Sequence, residues 1–330
     1  MRIKKIENPS FWDEVVETFG AGPYLYWAWK TAIEKVYRHQ GIYLIAQKGD
    51  EPLGLLPLVK FKTPFKTSWV SLPFCDYGGI WSKDKESFLH LFSEAQRLAQ
   101  GKPLEIRFSQ KPPYIKGPEG AGKVRLLLEL PGNSEKLWKQ LKSKVRSQVR
   151  RPQKDGAKAL VGGLELLPAF YKIYQENMHY LGSPAHSIQW FKVLLSSFGE
   201  RARVVLVHLK QTPLAAAILL FARDTATVPW ASSLRAYKKI SPNMLLYWTM
   251  LALAADQGLK YFDFGRSSPG SGTYRFKKQW GAYETPLYWY GRSPSGKISK
   301  KREILAKGWQ KTPKPLANWL GPFLRRYISL

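Results

Sequence analysis

Residues 262–280 form the stretch whose side chains and spacing are best suited to chemistry. The pattern predicts a short buried strand, then a Gly/Ser/Pro loop, then a helix whose first turns carry Arg275, Lys277 and Lys278. In α/β proteins such loops present free backbone N–H groups to an anion or a polarised carbonyl. A lysine behind a Gly-rich turn can stabilise the oxyanion of a tetrahedral intermediate in acyl transfer. A tight connection followed by a solvated basic helix is the alternative interpretation.

Two further loops carry polar side chains among aromatic residues. They hold Asp76 and Tyr77 in one case and His186 in the other. Asp76 and His186 are the acid–base candidates in these loops, although a single such residue is more often a hydrogen-bonded structural group.

Several kinds of chemistry lack their sequence signatures. There is no G-x-S-x-G elbow, no phosphate-binding G-x-x-x-x-G-K-[ST] loop, no G-x-G-x-x-G and no H-E-x-x-H. The five histidines show no metal-ligand spacing, and Cys75 is the single cysteine. We therefore expect neither a metal site nor a bound cofactor.

The charge of the chain indicates an anionic partner. Lys and Arg outnumber Asp and Glu by 52 to 24, a formal net charge of +28. Nucleic acid, an anionic membrane surface or a phosphorylated substrate would suit this excess, while a basic surface kept for solubility is the alternative. The densest cluster lies on a predicted helix over residues 134–153, whose other face carries an apolar stripe. Its candidate anion-binding residues are Lys142, Lys144, Arg146, Arg150 and Arg151.

The cysteine content, the N-terminal residues and the length of the apolar runs predict where the protein is located. One cysteine excludes an internal disulfide and fits a reducing compartment. The N-terminal residues lack an apolar signal segment, and the runs 213–222 and 244–255 are too short to span a bilayer. We expect a cytoplasmic protein that acts freely or peripherally at the inner membrane face.

The C-terminal residues form an apolar helical face with Arg325 and Arg326 outside it. Such a face either lies in a membrane interface or docks on the protein's own core. The dipeptide Gly321-Pro322 is expected to interrupt this helix.

The elements that must position these residues repeat along the chain. Helical patterns over 10–19 and 24–37 precede a hairpin signal at 42–59. Helical patterns over 166–181 and 188–198 precede a second hairpin at 204–221, with Pro213 aligned on Pro52. The remaining predicted elements are helices at 83–99 and 244–257 and strands at 68–72, 104–108, 124–130, 225–232, 261–264 and 285–290. The sequence predicts a duplicated α/β unit with mixed sheets.

Five blocks carry a family resemblance in the correct order. They are 73–79 (Pro-Phe-Cys-Asp-Tyr-Gly-Gly), 144–151, 181–187, 263–268 (Asp-Phe-Gly-Arg-Ser-Ser) and 272–281 (Gly-Thr-Tyr-Arg-Phe-Lys-Lys-Gln-Trp-Gly). Together they resemble FemABX-type proteins, the tandem acyltransferase fold of the GNAT superfamily, and in particular its FemAB-like branch. Some members of that branch are associated with exopolysaccharide and exosortase systems.

The resemblance implies two tandem GNAT-like domains, over 1–132 and 133–291, followed by a basic amphipathic tail over 292–330. The best-understood members transfer an amino acid from aminoacyl-tRNA to an amine of a peptidoglycan precursor. By that likeness Phe276 and Lys277 would lie at the donor carbonyl, and the basic cluster would bind tRNA. The expected substrate-binding residues are Arg266, Arg275, Tyr274, Asp76, Tyr77 and His186.

Two departures leave alternatives open. Residues 163–201 are too short for the coiled-coil insertion of many tRNA-dependent members, and residues 234–243 lack the glycine of the acetyl-CoA loop. We therefore weigh an aminoacyl-tRNA-dependent transferase against an acyl-CoA- or acyl-carrier-dependent N-acyltransferase of polysaccharide or lipid modification. A non-catalytic protein that binds RNA or membrane on the same fold is the third alternative.

Overall fold

The computed structural model describes residues 1–117, 120–291 and 300–330, and the side chains of 300–302 are not described. The strands are β1 (Arg2–Ile6), β2 (Gln40–Lys48), β3 (Glu51–Lys62), β4 (Thr67–Val70), β5 (Trp81–Ser82), β6 (Leu104–Phe108), β7 (Gly120–Glu129), β8 (Ala157–Gly162), β9 (Ala202–Leu209), β10 (Thr212–Ala222), β11 (Thr225–Ser233), β12 (Tyr261–Ser267) and β13 (Tyr283–Tyr290). The helices are α1 (Pro9–Thr18), α2 (Trp27–Tyr37), α3 (Lys85–Ala99), α4 (Ser134–Gln140), α5 (Ser143–Lys154), α6 (Leu167–Tyr180), α7 (Ile188–Phe198), α8 (Pro242–Asp256), α9 (Gly272–Lys278), α10 (Lys300–Lys311) and α11 (Lys314–Arg325).

The strands form one continuous mixed sheet. Their order is β1-β2-β3-β4-β6-β13-β7-β12-β11-β10-β9-β8, with β5 on β3. Among the described strands, β4 pairs with β6 and β11 with β12 in parallel, and the other pairs are antiparallel. Both predicted hairpins are confirmed: Ile45 lies opposite Leu55 in the first and Leu206 opposite Ala216 in the second. The mixed α/β class and the duplication are therefore confirmed.

Helices cover both faces of the sheet. On one face the paired helices of the two halves share a single core, in which Trp29 meets Trp190 edge-on with ring centroids 5.5 Å apart. On the other face α3 covers the first half, and α4, α5 and α8 cover the second. Burial of these large aromatic side chains stabilises the contact between the halves.

Two strands cross the expected domain limits within the sheet. Strand β7, from the first half of the chain, lies between β12 and β13. Strand β13 also pairs with β6. The limits 1–132, 133–291 and 292–330 remain predictions, and residues 292–299, where the last limit falls, lie outside the described residues.

Two local details differ from the sequence prediction. The basic helix over 134–153 is two helices, because the backbone at Leu141 and Lys142 is extended. Its apolar stripe is nevertheless buried throughout, at Leu137, Leu141, Val145 and Val149. Strands β1, β5 and β8 were not predicted, since their sequences are short and weakly patterned.

The tail also departs from expectation. Helix α11 continues through Pro322. Its glycine, Gly321, lies so close to Ala185 that a Cβ would be 3.2 Å from the Ala185 backbone nitrogen. Arg325 and Arg326, expected outside, turn inward to His186 and to the Tyr37 carbonyl. Side-chain hydrogen bonds therefore override the simple amphipathic pattern here.

Candidate active site

The site is built on a kink in strand β12. Gly265 has φ +71°, and the pairing register with β7 shifts between Asp263 and Arg266. A side chain at Gly265 would be strained in this left-handed conformation and would bring a Cβ to 3.3 Å from Asp76 Oδ2. The kink turns the carbonyl groups of Gly265 and Arg266 toward helix α9.

The side chain of Asp263 stabilises this kink through a hydrogen bond to the backbone. Its side chain is buried, with Oδ1 accepting from the Gly265 backbone N–H at 2.8 Å and Oδ2 from Arg125 Nε at 2.7 Å. A carboxylate removed from water requires such partners. The guanidinium group of Arg125 also donates to the Tyr77 hydroxyl at 3.3 Å and lies 4.6 Å from the centre of its ring. One buried ion pair thus joins β7, β12 and the loop after β4.

Lys277 is the central cation of the site. Its Nζ donates to the carbonyl oxygens of Gly265 at 3.2 Å and Arg266 at 2.9 Å, and the residue is 8% exposed. Burial is the main cause that lowers the pKa of Lys277, to about 8 overall; Asp76 and Asp263 oppose the shift, and Arg266 makes a smaller contribution that lowers the pKa. An ammonium group has three donors. Two are occupied, and the third has no acceptor among the described residues.

Asp76 and Arg266 close the site from the loop side. Asp76 Oδ2 accepts from the Arg266 backbone N–H at 3.0 Å, and its Oδ1 lies 3.3 Å from Arg266 Nε. Lys123 lies next to the same loop and contacts Ser268 Oγ. Burial, and to a smaller degree Arg266, lower the pKa of Lys123. The site thus contains four cationic side chains, from two lysines and two arginines, and two carboxylates, Asp76 and Asp263. This excess of positive charge suits a substrate with negative charge.

Two buried hydroxyl groups accompany the site. Strands β11 and β12 are paired only over residues 225–227 and 261–263. Beside this short ladder, Thr227 Oγ1 and Ser267 Oγ are buried and have no hydrogen-bond partner among the described residues. Buried polar atoms are normally satisfied, so these two hydroxyl groups are exceptions within the described residues.

A cleft of ≈ 420 Å³ lies on the other side of helix α9. Its walls come from α5, from the start of α8 with the turn before it, and from α9. They include Gln148, Lys238, Asn243, Arg275 and Phe276. The Gln148 Oε1 atom is buried without a partner among the described residues. The cleft thus joins the basic helix to the helix that carries Lys277.

The predicted residues divide between the two sides of α9. Lys277, Arg266, Asp76 and Tyr77 come together at the kink, whereas Arg275 and Phe276 line the cleft. Tyr274 is half-buried in the first turn of α9, where its N–H donates to Ser271 Oγ. The predicted roles of all these residues remain predictions.

His186 lies elsewhere, in contact with the C-terminal tail. Its Nδ1 is 2.6 Å from the Tyr37 hydroxyl, and its Nε2 accepts from Arg325 Nε at 3.0 Å. Burial, followed by the charge of Arg325, lowers its pKa well below the usual value. A neutral imidazole with both nitrogens occupied is suited to holding the tail, and its expected contact with substrate remains a prediction.

The basic cluster is well placed to meet an anion. Lys142, Lys144, Arg150 and Arg151 are exposed and Arg146 is half-exposed. No acidic residue occurs between Glu135 and Asp155 in the sequence. Arg150 lies over the Trp138 ring at 5.3 Å. These charges are therefore available to phosphate groups in solution.

Sequence reasoning missed Arg125, Asp263 and Lys123 as members of the site. Arg125 had a detectable signal, because it lies between Val124 and the apolar run 126–128 and must find a partner when that strand is buried. Within the described residues no group of His, Cys, Asp and Glu could hold a metal ion. No helix among them is long and apolar enough to cross a membrane.

The comparisons define the class of the protein. The acetyltransferase (GNAT) domain family matches residues 142–278, which contain α5, the cleft and Lys277. None of the curated proteins matches the chain in sequence. The chain therefore carries an acyltransferase domain of the GNAT type over residues 142–278, and the related first half extends the same sheet.

Solved structures share the fold of the chain. The chain is similar to FemX, with a TM-score of 0.67, 16% identity and coverage of 88% of this chain and 97% of FemX. It also resembles L-PGS from Bacillus licheniformis (TM-score 0.59, 12% identity, 100% of both chains). The C-terminal domain of a putative lysylphosphatidylglycerol synthetase from Agrobacterium fabrum aligns with TM-score 0.55, 13% identity and 78% and 86% coverage. The predicted FemABX-type fold is confirmed.

Proposed function

We propose that the protein transfers an aminoacyl group from aminoacyl-tRNA to an amine of a peptidoglycan or other cell-envelope precursor. The observation that carries this proposal is the Lys277 ammonium group, buried and held by the Gly265 and Arg266 carbonyls with one N–H unused. A fixed donor in a site largely closed to water stabilises developing negative charge more strongly than it would in solution.

The proposed reaction needs little besides positioning. The acceptor amine attacks the ester carbonyl, the new C–N bond forms, and the C–O bond to the tRNA ribose breaks. The proton released by the amine ends on the ribose oxygen. Lys277 donates its free N–H to the oxyanion formed in between, and Asp76 holds Arg266 in place for the anionic part of a substrate. Because the ester is already activated, orientation supplies most of the remaining rate.

The cleft beside α9 supports a donor with phosphate groups. It joins the basic helix α5 to Arg275 and Phe276, and Lys238 lies on its wall. A tRNA acceptor end that follows the basic cluster would enter this cleft, and its terminal ester would reach Lys277 around the end of α9. One structural neighbour is named as a putative lysylphosphatidylglycerol synthetase, which supports an acceptor of the cell envelope. The proposal places the protein in the cytoplasm or at the inner membrane face.

The same cleft favours one alternative, an N-acyltransferase that uses an acyl-CoA or acyl carrier. A compact cleft at the start of α8 suits a pyrophosphate as well as a tRNA end. Thermal-shift measurements separate the two donors, because a ligand raises the unfolding temperature only when it binds the folded protein. Stabilisation by CoA thioesters and none by charged tRNA would favour the alternative.

The deciding experiment is a transfer assay. Purified protein is incubated with tRNA charged with labelled amino acids and with UDP-linked or lipid-linked peptides, and labelled acceptor is measured. Lys277→Ala should abolish most transfer, while Lys278→Ala, which changes an exposed neighbour, should not. Absence of transfer to every acceptor would contradict the tRNA-dependent proposal. Retained function in Lys277→Ala, with loss on neutralising the basic cluster, would instead favour the non-catalytic binding protein.

A further inference from the structure

The large apolar residues of helix α11 face away from the protein, although a helix that only docks on a protein core would turn them inward. Its inward face consists of small residues, with Ala317 3% exposed and Gly321 buried. Its large apolar side chains point outward: Leu316, Trp319, Phe323 and Leu324 are 45%, 64%, 58% and 42% exposed. A soluble surface rarely leaves such a continuous apolar stripe uncovered.

This orientation is fixed by specific contacts. His179 Nε2 lies 2.8 Å from the Thr312 carbonyl, and Gln310 Nε2 donates to the Tyr180 carbonyl at 2.7 Å. Gly182 lies so close to α10 that a Cβ would be 2.6 Å from the Ala306 oxygen. The tail is therefore held on α6 and the loop after it, with the apolar stripe facing away from the protein.

We propose that this outer face of α10 and α11 binds the surface of an anionic bilayer. Lys307 and Lys311 are exposed on α10, whereas Lys314 on α11 lies 3.8 Å from Glu176 Oε1. Glu303 is the single acidic residue among the described residues of the tail. Large apolar side chains that enter the acyl boundary, flanked by lysines that meet anionic headgroups, are the two components of interfacial binding.

A second copy of the chain is a poorer occupant. Two copies meeting through this face would bring together two chains of net charge +28 with their lysines on the same side. The positive charges of the two copies would repel each other, whereas an anionic surface attracts both the tail and the rest of the protein. Ile304 and Leu305 on α10 are 69% and 63% exposed and add apolar area that a bilayer can take up.

The tail also connects this face to the site. After α11 the chain reaches Ser329, whose carbonyl accepts from the Phe74 N–H at 2.6 Å and whose Oγ accepts from Arg107 Nη2 at 3.1 Å. Phe74 lies in the loop that carries Asp76. The end of the tail is therefore hydrogen-bonded to the loop that also supplies Asp76 to the site.

The test is co-sedimentation of the full-length protein with vesicles of phosphatidylcholine alone or mixed with phosphatidylglycerol. The wild type should bind the mixed vesicles and bind phosphatidylcholine weakly. Trp319→Glu with Phe323→Glu should lower the apparent affinity by about tenfold or more, because two large apolar anchors are removed. Phe65→Glu is the matched control: Phe65 is 96% exposed in the turn between β3 and β4, and its variant should bind as the wild type does.

The outcomes that would overturn the proposal are distinct. They are a wild type that leaves phosphatidylglycerol vesicles unbound, a double variant that binds as the wild type does, or a dimer that the double variant abolishes. Circular dichroism and thermal unfolding of both variants establish that the tail and core remain folded. Transfer to a soluble peptide acceptor is measured in parallel, so that failure of vesicle binding is distinguishable from failure of the acyltransferase proposal.

Discussion

Lys277 Nζ lies 2.9 Å from the carbonyl oxygen of Arg266, eleven residues earlier in the chain, and binds it across the loop between β12 and α9. The backbone N–H of the same Arg266 donates to Asp76 Oδ2, which lies in the loop after β4. One residue thus joins the cation to the acidic loop. Small shifts of this loop should move the ammonium group relative to any bound carbonyl.

Removing the Lys277 ammonium group tests its role in stabilising charge. Lys277→Ala should lower kcat by about 10²–10³-fold, the usual loss for one oxyanion donor, with a smaller change in KM. Steady-state transfer kinetics measure both constants. Lys278→Ala changes the adjacent, exposed lysine and should retain wild-type kcat. A fall confined to KM would indicate that Lys277 binds substrate without stabilising the transition state.

The pH dependence of transfer should follow the protonation of Lys277. Burial lowers its pKa to about 8, so kcat should decline as pH rises through that value and the cation is lost. Asp76 raises this pKa, and Asp76→Asn should therefore move the decline to lower pH. The ratio of variant to wild-type rates across the pH range removes effects common to both, such as ester hydrolysis. An unmoved profile would exclude Lys277 as the titrating group.

Breaking the buried ion pair under the kink should destabilise the fold. Asp263→Ala leaves Arg125 buried without its carboxylate, which costs about 3–5 kcal/mol of unfolding free energy. Adding Arg125→Met to that variant should recover part of the loss. A double-mutant cycle in denaturant gives the coupling energy directly. Additive losses would show that the two side chains do not stabilise each other.

The elements of this fold were predictable where the information is local. The pattern over 188–198 predicted α7 with its observed limits, and both hairpins followed from alternating apolar residues and turn chemistry. The position of β13 between β6 and β7 was not predictable. Strand order in a sheet depends on pairing between distant segments, which no single segment encodes.

The site was predictable in part for the same reason. Lys277, Arg266 and Asp76 stood out because polar residues in glycine-rich or aromatic loops are unusual. Arg125 and Asp263 are 138 residues apart, and the sequence around either residue does not indicate that the two form an ion pair. Helical periodicity likewise showed which residues of α11 share a face. It did not show that the small residues would dock, because that depends on how closely the backbone approaches Ala185.

The basic cluster should contribute to binding of charged tRNA and not to the chemical step. Changing Lys144, Arg150 and Arg151 to Gln should raise KM for the tRNA and leave kcat unchanged. The slope of log affinity against log salt should fall by roughly 0.7–0.9 for each tRNA phosphate that the protein no longer neutralises. Lys48, Lys66 and Lys85 changed to Gln remove the same charge from the exposed surface of the first half and serve as control. Equal effects of the two triple variants would indicate net charge alone.

The burial of His186 beside Arg325 should make the stability of the folded protein sensitive to acid. The His186 pKa is lowered in the folded state, chiefly by burial, so below about pH 6.5 the unfolded chain takes up a proton that the folded protein does not. Stability from this residue is therefore present above that pH and lost as pH falls. His186→Gln should show a smaller drop in Tm between about pH 7.5 and pH 5 than the wild type. His90→Gln, on the exposed face of α3, should show the full drop, and an equal drop in both variants would assign the acid sensitivity to other groups.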